Sequence, residues 1–182
     1  VNERRNKCGQ AYGLTVMTPI LDGHETALAR YVSTLATGPE SPLARVQGTH
    51  FARWVVMGDV VFEGDGQSRD HLKRGRLLFT SNFDGELEPY LERLRAGLGE
   101  VADAVWTHCA GYPGGDHAAS FAAYMRAHQI ESSMFFAAYG ERTVEEVTRS
   151  LATRRQVIDF ALRAQGMSPA ELKAAFGETF AA

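Results

Sequence analysis

The chain has 182 residues, 45% of them hydrophobic and 23% charged, enough apolar material for one sizeable core. Its formal net charge of −3 argues against general nucleic-acid binding, which needs a basic surface. No apolar run approaches the roughly 18–20 residues of a membrane-spanning helix, and two cysteines, Cys8 and Cys109, do not make a disulfide framework, so a reducing cytoplasm is the expected setting.

Residues 1–12 are polar and basic at the start, lack the apolar stretch of a secretory signal, and read as a flexible leader. Residues 13–182 read as a single domain. Leu14–Ile20 is short, apolar and β-branched, a first strand ended by Pro19. Over His24–Ala36, Leu28, Tyr31, Val32 and Leu35 recur at helical spacing. Thr49–Val61 and Gly75–Asp84 are the second and third strands, an antiparallel hairpin across the glycine-bearing loop 63–75. A helix over Glu86–Leu98 carries Leu87, Tyr90, Leu91 and Leu94 on one face, with Pro89 in its first turn. A helical piece at Val101–Val105 precedes a predicted fourth strand, Trp106–Tyr112.

From about residue 116 an extension follows. It is predicted as a helix over Asp116–His128, a fifth strand at Ser133–Tyr139, a long helix over Thr143–Gln165, and a short helix after Ser168-Pro169. Thr143 and Glu146 have the spacing of a capping box on the long helix, and Ser168 is the N-cap of the last one, with Pro169 at its first position and Glu171 early in the turn. The fold class is therefore α+β: a ferredoxin-like β-α-β-β-α-β antiparallel sheet with a C-terminal helix-strand-helix extension. Helices cover one sheet face and leave the other open.

The hairpin strands THFARWVVM and RLLFTSNFD carry polar residues inside apolar runs, which marks a sheet face turned to a pocket. Strand alternation puts His50, Ala52, Trp54 and Val56 on one face and Phe51, Arg53, Val55 and Met57 on the other. The first face is chemically richer. It is predicted to gather His50, Asn82 and His108 as catalytic residues, with Trp54, Thr80 and Tyr112 as substrate contacts. A histidine is a proton carrier near neutral pH, Asn82 or Thr80 can hold a developing oxyanion, and Trp54 can stack on a planar ring. Phe51, Val55, Leu77 and Phe79 are assigned to the helix side, where Arg53 fits only if it meets a carboxylate such as Asp84. No zinc, EF-hand or phosphate-loop spacing is present, and no metal is expected.

The element order over residues 13–113 resembles the dimeric α+β barrel group of the ferredoxin-like fold. The strings THFARWVV and LLFTSNFDG are similar to a pattern in uncharacterised bacterial proteins of that type. The group includes quinone-forming monooxygenases, polyketide cyclases and haem enzymes. The resemblance implies a small-molecule enzyme acting on an aromatic or polyketide-like compound, and a homodimer with two facing sheets. It also admits haem, with His108, His117 or His128 as the ligand, or a non-catalytic ligand-binding dimer.

Overall fold

A computed structural model of the chain describes residues 3–61, 64–66, 71–114 and 118–180. They divide into two compact units, Val1–Thr143 and Val144–Ala182.

The first unit is α+β, with one antiparallel sheet of four strands: β1 (Lys7–Cys8), β2 (Ala11–Pro19), β3 (Thr49–Met57) and β4 (Arg76–Asp84), in the order β1-β2-β4-β3. Alternation decides which face is buried. Tyr12, Leu14, Val16 and Thr18 of β2 and Leu77, Phe79, Ser81 and Phe83 of β4 are all buried. Against that face pack α1 (Glu25–Thr34), α2 (Leu87–Leu98), α3 (Glu100–Trp106) and α4 (Ala118–Ala127), through Leu28, Leu91, Trp106 and Phe121. Gly99, at φ 55°, ends α2 and lets α3 start at once in a new direction. The buried hydroxyls of this face are bonded: Thr18 Oγ1 donates to Cys109 Sγ at 3.2 Å, Ser81 Oγ meets Tyr90 Oη at 2.5 Å, and Tyr12 Oη accepts from Gln129 Nε2 at 2.9 Å. Burial pushes the Cys109 thiol up from its ordinary pKa, so it stays protonated as a small packed side chain.

The α+β class and the antiparallel hairpin match the sequence reading, but the strand order departs from the ferredoxin-like arrangement in one place. Trp106–Tyr112 is not a strand. Ala102, Val105 and Trp106 continue a helical stripe that carries Trp106 into the centre of the core, and the chain then turns. The outer edge of β2 is instead satisfied by β1 and by two irregular segments. Ala110 N–H donates to Pro19 O at 2.8 Å, and Met17 N–H to His128 O at 3.0 Å.

The strand expected at Ser133–Tyr139 is also absent. Both edges of β2 are already paired, so this segment crosses the sheet as a strap. It is pinned at one end by Ser132 N–H on Asn6 Oδ1 (2.8 Å) and at the other by Gln10 N–H on Gly140 O (2.6 Å). Within the segment read as a leader, Glu3–Asn6 forms a 3-10 turn, Asn6 is fully buried, and Lys7–Cys8 pair with Ala11–Tyr12.

β3 ends at Met57, short of the expected Val61. Just beyond it, Asp59 accepts bonds from Val60 N–H, Leu72 N–H and His71 Nδ1, closing the mouth of the hairpin. These bonds hold the Asp59 carboxyl down at about 2.

The second unit is a helix pair, α5 (Val144–Arg163) and α6 (Pro169–Phe180), joined by a ring cluster of Phe160, Phe176 and Phe180. Ser168 caps α6 as expected: Glu171 Oε2 accepts from Ser168 N–H at 2.8 Å and from its hydroxyl at 2.7 Å. Among the described residues no helix is long and apolar enough to cross a membrane.

Candidate functional site

The open face of the sheet carries rows of side chains set by register, because residues directly opposite in an antiparallel pair share a face. Gly13, Asn82 and Phe51 form one row; Thr15, Thr80 and Arg53 form the next. The strap runs over this face with Phe135 lying on Gly13. A Cβ at that position would stand 2.8 Å from the Phe135 ring, so only glycine admits the ring. Between the strap and β3 lies a groove of about 550 Å³, lined by both rows with Ser132 and Phe135. A second hollow of about 280 Å³ adjoins it, lined by His50 and by strap residues Phe135–Tyr139. The two share Phe51, Asn82 and Phe135 and make one trough.

His50 reaches the trough through a β-bulge. Thr49 lies opposite Phe83 and Phe51 opposite Asn82, so the register shifts at His50. Thr49 therefore faces the core, where its hydroxyl meets Tyr90 Oη at 3.2 Å, and Phe51 faces outward. Nε2 of His50 lies 2.7 Å from Asp84 Oδ1, with both side chains largely buried. A carboxylate only accepts, so the proton of this bond sits on Nε2 and Nδ1 is left as the basic nitrogen.

The structure keeps part of the expected constellation and dismantles the rest. Asn82, Thr80 and His50 line the trough. Trp54 does not: it lies opposite Phe79 on the core face, its ring 5.5 Å from Phe79 and 6.2 Å from Trp106. Phe51 and Val55, assigned to the helix side, point outward with Arg53. The faces of β3 are thus the reverse of those expected, because the pairing of Arg53 with Thr80, not local polarity, sets which side is open.

His108 sits at the other end of the sheet, in the turn beside Leu21, a strand length of about 27 Å from the His50 end. Its Nδ1 lies 3.0 Å from His24 Nδ1. Tyr112 belongs to the helix layer. Its hydroxyl donates to Asp103 Oδ1 at 2.7 Å, and burial followed by that carboxylate raises its pKa. Of the candidate haem ligands, His128 bonds the Tyr124 carbonyl at 2.9 Å and neither it nor His108 lines the trough. His117 lies outside the described residues.

The chain matches no family model, no characterised protein and no solved structure.

The trough's character therefore comes from its own geometry. It has aromatic walls in Phe51 and Phe135, a guanidinium, amide and hydroxyl groups, and a histidine whose Nε2 bonds the carboxylate of Asp84, a residue outside the lining. Sequence reasoning missed Phe51, Arg53, Phe135 and Asp84. Arg53 inside an apolar alternating strand was the available signal, since an arginine there must face solvent or a pocket.

The His24–His108 pair makes a separate prediction. Partial burial and then the neighbouring His24 lower the His108 pKa below its ordinary 6.5. The folded state therefore binds fewer protons than the unfolded state, and stability falls as pH drops through about 6.5 and below. Melting temperature is expected to decline between pH 7.5 and 5.5, with a smaller decline in His24→Asn. An unchanged pH profile in that variant would contradict the coupling.

Proposed function

We propose that the protein is a small-molecule enzyme that binds a planar aromatic or polyketide-like compound in the trough and moves a proton on it with His50. The observation that carries this reading is the 2.7 Å bond from His50 Nε2 to Asp84 Oδ1 at one end of an aromatic-walled hollow. Asp84 fixes the ring's tautomer and orientation, so that Nδ1 is the nitrogen that takes the proton. Asn82 occupies the row next to His50, where its amide N–H can stabilise the enolate or phenolate oxygen left behind. Phe51 and Phe135 supply flat apolar surfaces for the ring. Proton abstraction from an electron-rich ring is the opening step of cyclisation and of direct attack by O₂. The resemblance to dimeric α+β barrel enzymes favours the same class of chemistry. A homodimer suits it too, since Phe51 and Phe136 are each 75% exposed on this unit and a second copy would bury them.

Incubation with a library of hydroxylated aromatic compounds, read by mass spectrometry, tests the reading. His50→Ala is expected to lower turnover by roughly 10²–10⁴-fold while the melting curve stays cooperative, and Asp84→Asn by less. Wild-type turnover in His50→Ala would eliminate the acid–base role.

A further inference from the structure

We propose that the compound held in the trough is an aromatic carboxylate whose anionic end is bound by Arg53. This rests on the reading of the trough as a small-molecule site and names the class of molecule it takes.

Arg53 lies in the Thr15–Thr80–Arg53 row of the open face. Its Nε donates to Thr80 Oγ1 at 3.2 Å, which steadies the side chain and leaves both terminal nitrogens available. Among the described residues no ion pair joins it to a carboxylate. Among the described residues no aspartate or glutamate lines either part of the trough, and Asp84, beside it, is engaged by His50. The described lining thus carries one fixed positive charge, beside aromatic walls and with no carboxylate on the lining to neutralise it. A planar guanidinium in that position suits a planar, bidentate anion.

Spacing fixes the arrangement of the ligand. Phe51 and Arg53 are two residues apart on one face, about 7 Å along the strand. That separation fits an aromatic ring against Phe51 and Phe135 with its carboxylate reaching Arg53. His50 precedes Phe51, so it meets the ring from the opposite side. The base therefore acts on the part of the molecule away from the carboxylate, and an acid–base end and an anion end flank one aromatic clamp.

Calorimetric titration with 2-naphthoate and its neutral counterpart 2-naphthamide tests this directly. Wild-type protein is expected to bind the acid at least about tenfold more tightly. Arg53→Gln should remove that preference, Arg53→Lys should restore part of it, and added salt should weaken only the acid. His50→Ala should keep the preference, which separates this inference from the catalytic one. Lost turnover with the acid preference intact supports it; intact turnover in His50→Ala with the same preference overturns only the acid–base role. Equal affinity for acid and amide in the wild type, an unchanged preference in Arg53→Gln, or no binding of 2-naphthoate at millimolar concentration would each overturn it.

Discussion

Trp106→Ala is expected to lower the stability of the first unit by about 3–5 kcal/mol, the usual cost of deleting a large buried aromatic side chain. Trp106 is fully buried, and its ring meets Phe79 and Phe121 at 5.5 Å and Trp54 at 6.2 Å. It therefore ties β3, β4 and α4 to α3, and no single neighbour can collapse into the space it leaves. One term works in the other direction: its Nε1 has no hydrogen-bond partner among the described residues, so the truncation also removes a buried unpaired donor. That donor is worth less than the packing lost. At about 2–4 °C per kcal/mol for a chain of this size, the melting temperature should fall by roughly 6–20 °C. Trp54→Ala should cost less, because Trp54 is only half-buried. Urea unfolding of both variants measures the order. A loss below about 1 kcal/mol for Trp106→Ala would place the core elsewhere.

That contrast between the two tryptophans shows what was legible in the sequence and what was not. Period-two burial in β2 and β4 and the leucine stripe of α2 follow from local pattern, because each element has one face to hide. Trp106 was not legible. Seven residues of apolar and polar character after a short helix fit a strand as well as a helix end, and tertiary packing chose the helix. The face of β3 was hidden for a different reason. Alternation says which residues share a face but not which face is open, and the bulge at His50 changes the parity at the position that mattered most. Thr80 and Asn82 could be read as trough residues because β4 is unbroken; His50 reached the trough by a route alternation does not describe. Phe135 had no local signal, since its place depends on a glycine more than a hundred residues away.

Gly13→Val is expected to act at that contact, costing about 1–3 kcal/mol as an overpacked site and removing one wall of the trough. The added Cβ would stand 2.8 Å from Phe135 Cδ2 and 2.9 Å from Cε2. The ring has little room to retreat, because the strap is pinned at Ser132 and at Gly140. Two opposed terms can be separated. Valine is a better strand residue than glycine, so the local backbone gains while the cross-face contact loses. In a Phe135→Ala background the contact is gone and only the gain remains. Gly13→Val should then be neutral or stabilising, a coupling of at least about 1 kcal/mol across the double-mutant cycle. Each single variant should also weaken 2-naphthoate binding, because the ring and the space beneath it form one wall. Additive effects of Gly13→Val and Phe135→Ala would mean that the strap does not rest on β2, and the trough would lose the boundary that gives it a definite shape.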